Sequence, residues 1–283
     1  MSLKLGISDY TFPKLTWDQA LRLANDLGVE GIDIGIFAGR SHLRPEEVLF
    51  KPAVAAAKLV TVVRAHGLGI ADIFGQPGAA FEEKAVNHPD QTQRKSAAEF
   101  FWRLLELAAR CNAKHISLLP GAHFKQENPE DSLKRSADEL AWRVEAAARM
   151  GIALGTEAHI GSVIPTPAHA LKLLDLTPGL TMTLDYGHFA CQGIPDAEVE
   201  PLLARTSHVH ARAACKDKLQ ASFGENTIGF AQILRRLRDA HYAGYIVLEY
   251  VWTEWMHCNE VDNLSETILL RDHLRSLDSA LGD

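Results

Sequence analysis

Residues 181–191, TMTLDYGHFAC, run a short apolar strand straight into a carboxylate and an imidazole. Leu180, Met182, Thr183 and Leu184 read as a buried strand that ends on Asp185. His188 follows three residues later, past Gly187, which leaves the backbone free to turn sharply. An aspartate and a histidine so placed make a hard-plus-borderline ligand pair for a divalent cation. An aspartate closing a strand is also an ordinary turn former, so the rest of the chain has to decide between the two.

In both directions the same unit recurs. Upstream, strand-like runs at 3–8, 29–36, 68–74, 114–119 and 152–159 alternate with helical patterns at 17–27, 45–66, 91–112 and 129–150, and a short helix follows Pro165. Downstream come a helix at 197–205, a strand at 207–212, a helix at 230–241, a strand at 245–250 and a last helix at 265–281. Thr16 is a natural N-cap, and Gly28, Gly67 and Gly151 close helices. Strict alternation of this kind demands a mostly parallel sheet. Eight strand–helix units in about 250 residues predict an α/β protein of one domain, a closed (β/α)8 TIM barrel over residues 1–283, rather than an open doubly wound sheet. Neither GxGxxG nor GxxxxGK(S/T) follows any strand, which leaves the nucleotide-binding open sheets without support.

Composition narrows the function. The 283 residues are 47% hydrophobic and 23% charged, enough apolar chain for a sizeable core. A net charge of −7 leaves no basic excess for a phosphate backbone and argues against nucleic acid as a partner. Cys111, Cys191, Cys215 and Cys258 form no CxxC pair and read as reduced thiols. The opening MSLKLGISDYTF has no leader pattern, and no run reaches membrane-spanning length. The expectation is a soluble, cytoplasmic protein with no membrane partner.

A barrel collects its chemistry at the C-terminal ends of its strands. The fifth expected strand ends Thr156-Glu157-Ala158-His159, the sixth ends at Asp185, the seventh carries His208-Val209-His210-Ala211-Arg212, and the eighth ends at Glu249. Residues two apart share a strand face, so Glu157 points with His159, and His208 with His210 and Arg212. The first four strands end mostly in apolar or small residues, with Asp9, Asp33 and Asp72 as scattered exceptions. Carboxylates and imidazoles crowded onto four consecutive strands suit Mn²⁺, Mg²⁺ or Co²⁺ and admit Zn²⁺. A dication would also relieve the repulsion between three buried carboxylates. The plainer alternative is a set of separate strand-end residues paired to arginine and lysine.

At these residues the chain resembles the xylose-isomerase-like barrel superfamily, the sugar-phosphate isomerase/epimerase group that also contains endonuclease IV. The likeness spans nearly the whole chain and is strongest in LGTEAHIGS (154–162), LDYGHFACQG (184–193), SHVHARAACKDKLQ (207–220) and GFAQILRRLRDAHYAGYIVLEY (229–250). It implies metal ligands at Glu157, Asp185, His210 and Glu249, with Glu157 and Glu249 also moving the substrate proton. It implies a substrate contact at His188. The epimerases of the group carry an arginine six residues after the metal histidine; that position is Lys216, and Arg212 is the candidate replacement. Members of the group often form dimers or tetramers, so a homo-oligomer is possible here.

The chemistry is coherent by itself. One glutamate removes a proton α to a carbonyl, a cation steadies the resulting enediolate, and the second glutamate returns the proton. Return to the opposite face of the same carbon is epimerisation, and return to the neighbouring carbon is aldose–ketose isomerisation. The substrate implied is a small sugar, ketose or hydroxy-keto acid. A dehydratase acting on an inosose- or dehydroshikimate-like substrate needs the same enolate. An endonuclease of the endonuclease IV kind would need three zinc ions, more histidines on early strands and a basic rim. A non-enzymatic sugar-binding barrel would have no use for two proton carriers. Among the remaining polar residues, His159 reads as a substrate contact, His208 as a hydrogen-bonded core histidine, and His115 as lying at the far end of the barrel. Lys216, Lys218 and Gln220 read either as a solvated loop or as a grip on an acidic substrate group. Trp252, Trp255 and Tyr250 read as wall to the pocket or to an interface.

Overall fold

A computed structural model describes residues 3–282. The expected domain span also takes in residues 1, 2 and 283, which lie outside the described residues. Eight parallel strands close on themselves in sequence order: β1 (Leu5–Ser8), β2 (Gly31–Phe37), β3 (Gly69–Gln76), β4 (His115–Leu118), β5 (Ala153–Glu157), β6 (Thr181–Asp185), β7 (Thr206–Ala211) and β8 (Ile246–Leu248). Closure is made by β8 on β1, in the register Leu5↔Ile246 and Ile7↔Leu248. This is a single-domain TIM barrel, as the alternation of the sequence requires.

The helices between the strands are α1 (Trp17–Asp26), α2 (Pro45–Val48), α3 (Pro52–Ala65), α4 (Gln91–Arg110), α5 (Pro129–Arg149), α6 (Pro167–Leu176), α7 (Gly187–Cys191), α8 (Asp196–Val199), α9 (Phe230–Asp239) and α10 (Asn263–Gly282). Their starts follow local chemistry. Thr16 and Gln19 cap α1 reciprocally, Asn128 and Thr166 cap α5 and α6, and prolines open α2, α3, α5 and α6. Their ends do too: Gly28, Gly67 and Gly151 take positive φ just past α1, α3 and α5. Asn112 does so after α4, and His241 supplies a left-handed residue after α9 where no glycine stands. Two elements differ from expectation. The expected 45–66 helix is two helices, because Pro52 opens a new one at Lys51. The expected 197–205 helix is α8 followed by a 3-10 stretch, Glu200–Arg205, with Pro201 at the junction.

The apolar core lies between the strands and the helix ring, where Leu21, Leu59, Leu104, Leu140 and Leu173 are fully buried. The barrel interior is different. Toward its N-terminal end, Ser117 and Thr183 share a hydrogen bond of 2.6 Å, and Thr181 and Ser207 one of 2.5 Å. His115 bridges Asp72 and Ser207, each at 2.7 Å, and its ring stacks 5.1 Å from that of His208. A polar column therefore rises through the barrel to the strand ends. Each of its imidazoles has a carboxylate or hydroxyl partner, which offsets the cost of burial.

Candidate active site

Glu157 and Asp185 are the last residues of β5 and β6, and His210 is the penultimate residue of β7. Glu249 follows β8 and stays tied to the barrel, its N–H donating to Ala211 O at 3.0 Å. Arg212 comes two residues after His210, on the same face of the chain. All five side chains are buried at the C-terminal mouth, below a cavity of about 450 Å³.

His210 is the hinge of the arrangement. Its Nδ1 lies 2.9 Å from Glu157 Oε1 and 3.3 Å from Glu249 Oε2, while its Nε2 lies 3.1 Å from Asp33 Oδ2. The same Asp33 oxygen is 2.7 Å from His208 Nε2. His208 is thus the hydrogen-bonded core histidine expected of it, and Asp33 orients the working imidazole from behind. Burial alone would lower the His210 imidazole, but the surrounding carboxylates of Glu249, Asp33 and Glu157 reverse that and raise it well above its usual value.

The two glutamates are held apart electrostatically. Burial, with the charge of Glu249, pushes Glu157 up to about 7. Burial opposes ionisation of Glu249 as well, but the Arg212 guanidinium and His210 outweigh it and hold this carboxyl below the usual glutamate range. Tyr10 adds to that effect by donating its hydroxyl to Glu249 Oε1 at 2.7 Å. Pairs of carboxyls driven in opposite directions are a mark of acid–base sites.

Asp185 and Arg212 form the other half. Arg212 Nη2 lies 2.6 Å from Asp185 Oδ2 and also bonds Glu249 Oε2. Asp185 Oδ1 accepts the Gly187 N–H at 2.7 Å. Gly187 opens the short helix α7 directly after β6, without a positive φ. A Cβ there would stand 2.9 Å from Asp185 Oδ1 and 3.2 Å from Arg212 Cγ, so the residue is needed for close approach. His188, carried on α7, sits 3.8 Å from Glu157 Oε2 and 3.7 Å from Asp185 Oδ2. His159 leaves β5 toward the mouth, its ring stacked 5.0 Å from Phe81 on one side and 5.0 Å from Trp255 on the other.

Glu157, His210 and Glu249 present donor atoms within 4.8 Å of one another. Donors bound about 2.1 Å from a common cation lie roughly 3.0–3.4 Å apart, close to the two His210 contacts of 2.9 and 3.3 Å. Two carboxylates and one imidazole therefore fit a divalent cation. Asp185, the fourth expected ligand, stands beside this trio, its Oδ2 against the same Arg212 Nη2 that contacts Glu249 Oε2. Glu157, His159 and His188 form a second ligand-spaced trio that shares Glu157.

Of the expected substrate contacts, His188, Arg212 and His159 line the cavity. Lys216 does not. Asp217 N–H is bonded to Cys191 O, and Cys215 pairs with Lys218 in a tight turn that leaves Lys216 exposed on the outside of the loop. Gln220 is likewise structural: it clamps the β8 exit through Val251 and Cys258. Tyr10, Asp33 and Arg40 were not singled out from sequence as site residues. Arg40 lines the mouth with its guanidinium 4.4 Å over the Phe37 ring and 2.5 Å from Gln76 Oε1. A signal existed for Asp33 alone: an aspartate within IDIGI is an apolar strand's inward-facing exception, and it calls for a partner.

A closed barrel with carboxylates and imidazoles crowded at its strand ends defines a class, and the sequence agrees with it. Residues 21–277 match the xylose isomerase-like TIM barrel family, and the chain belongs to it. It is an enzyme of that family. A protein of Escherichia coli (strain K12) named for L-ribulose-5-phosphate 3-epimerase activity, SgbU, is 24% identical over 263 residues, 89% of each chain. An inosose dehydratase of Clostridium perfringens is 28% identical over 141 residues, 42% of this chain and 48% of its own. The solved structure of an L-ribulose 3-epimerase superposes with a TM-score of 0.76 at 19% identity, over 99% of this chain and 97% of the other. Among the described residues no helix is long and apolar enough to cross a membrane.

Proposed function

We propose that the protein epimerises or isomerises a small polyhydroxy ketone, a sugar or hydroxy-keto acid, through an enediolate, with Glu157 and Glu249 as the two proton carriers. The observation that carries this reading is the pair itself. Both glutamates are buried at the mouth of one cavity, face His210 Nδ1 from two sides, and are driven toward opposite protonation states. Glu249, ionised and neutralised by Arg212, is the group ready to take a proton from carbon. Glu157 is the group that holds a proton near neutrality and can return one. Arg212 and His188 line the space where the enediolate oxygens would lie, and a guanidinium there stabilises developing negative charge. His159, stacked against Phe81 and Trp255, walls the cavity beside them.

A divalent cation fits at Glu157, His210 and Glu249, and when bound it supplies Lewis-acid polarisation of the substrate carbonyl. The relatives named for 3-epimerase activity on L-ribulose-5-phosphate and L-ribulose support the ketose assignment. The match to an inosose dehydratase supports a second reading, in which the same enolate loses a β-hydroxyl. Both readings keep the substrate a small carbohydrate-like molecule, in accord with the size of the cavity.

Proton NMR in D₂O separates them. The protein is given Mg²⁺ and a panel of ketoses, hydroxypyruvate, inosose and dehydroshikimate. Deuterium wash-in α to a carbonyl, falling at least a hundredfold in Glu249→Gln and in Glu157→Gln, is the expected result. A dehydrated product moves the assignment to the lyase, and exchange that survives both substitutions removes the two-glutamate mechanism.

A further inference from the structure

Arg212 holds a position that a cation-binding reading of the site does not anticipate. Its Nη2 contacts Glu249 Oε2, and that oxygen is the one 3.3 Å from His210 Nδ1, inside the ligand-spaced trio. One carboxylate oxygen thus stands between two prospective cationic partners, the guanidinium and a divalent ion. At separations of a few ångströms in a buried site, like charges repel strongly unless an anion is interposed for each. Asp185 offers that second anion. Its Oδ2 is 2.6 Å from Arg212 Nη2 and lies outside the trio.

The guanidinium is also incompletely engaged where it stands. Arg212 Nε is buried and has no hydrogen-bond partner among the described residues. A buried, charged donor left unpaired is costly, and it marks a group with a further acceptor to meet. Arg212 lines the cavity, so that acceptor is a substrate oxygen. A Cβ on Gly187 would stand 3.2 Å from Arg212 Cγ, so the glycine leaves the arginine stem uncrowded on that side.

We propose that Arg212 is a tethered competitor for the divalent cation, with binding of the ion and the Arg212–Glu249 ion pair mutually exclusive. Without the ion, Arg212 spans Asp185 and Glu249. Entry of the ion displaces the guanidinium from Glu249 Oε2 and frees its N–H groups for the substrate oxyanion. The competition is reciprocal: Arg212 weakens ion binding to the same extent that the ion weakens the Arg212–Glu249 contact. The inference rests on the cation site of the proposed function and adds how that site is gated.

The test is Mn²⁺ affinity, measured by titration calorimetry and by the loss of free-ion electron paramagnetic resonance signal, for the wild type and Arg212→Met. Methionine keeps the length and removes the charge. Competition predicts at least tenfold tighter binding in the variant. A second readout needs no variant. Phenylglyoxal modification of Arg212, followed by peptide mass mapping, is expected to accelerate when Mn²⁺ is added to the wild-type protein. Unchanged or weaker affinity in Arg212→Met, or modification that is unaffected or slowed by Mn²⁺, overturns the competition and leaves the cation site standing. Failure of both proteins to bind Mn²⁺ removes the cation site and the competition with it.

Discussion

Tyr10 illustrates what a single residue contributes at the mouth of the barrel. Its hydroxyl donates to Glu249 Oε1, and with Arg212 it keeps that carboxyl ionised at low pH. Tyr10→Phe removes a hydrogen bond to a charged, buried acceptor, worth about 1.5–3 kcal/mol. The Glu249 pKa must then rise, because the bond favours the ionised form. The acid limb of the kcat/KM profile is expected to move to higher pH in Tyr10→Phe, with the basic limb in place. An unmoved acid limb would mean that Glu249 is not the ionised base. The residues at the ends of β5 to β8 were legible from sequence because charged side chains closing apolar strands stand out. Tyr10 was not, since a tyrosine just past β1 looks like any aromatic packing residue, and its partner lies 239 positions away.

At the scale of elements, eight strands were legible because short apolar runs alternate with helical patterns that mostly close on a glycine or asparagine. Boundaries moved by a few residues; at β8 the expected 245–250 shortens to Ile246–Leu248, and Glu249 lies just outside the ladder. Gly187 next to Asp185 looks like a flexible turn, whereas its role is to let a carboxylate, an arginine stem and the Leu219 carbonyl pass close by. Two principles disagree about Gly187→Ala. Helix propensity favours alanine by about 1 kcal/mol, and the crowded Cβ position opposes it by about 1–3 kcal/mol. Asp185 Oδ1 and the Leu219 carbonyl oxygen cannot both withdraw, so packing decides. Net destabilisation in urea denaturation is expected, and a more stable variant would show that α7 tolerates displacement.

The whole molecule should answer to pH through Asp9. Burial pushes this carboxyl up to about 7, against the pull of the Gly35 and Trp17 N–H groups that donate to it. In the unfolded chain it titrates near 3.8. Between those values the folded protein binds the extra proton, so stability falls as pH rises from about 4 to 7 and levels beyond. Asp9→Asn removes that linkage. The loss of stability between pH 5 and pH 8 is expected to be smaller in the variant by on the order of 2 kcal/mol, whatever the substitution costs at any one pH. Parallel pH slopes in the two proteins would place Asp9 outside the linkage.

Barrel closure carries a last consequence. Glu249 comes from the final strand and is held by Tyr10 from the start of the chain, and β8 pairs with β1 only when both are present. If the two glutamates carry the reaction as proposed, a nascent chain is chemically silent until the eighth strand has left the ribosome and found the first. The half-barrel β1 to β4 holds neither glutamate, and the half-barrel β5 to β8 holds both but lacks the Tyr10 that anchors Glu249. Turnover in this protein thus doubles as an assay for completed folding, sensitive to an unsealed seam that helix content would miss.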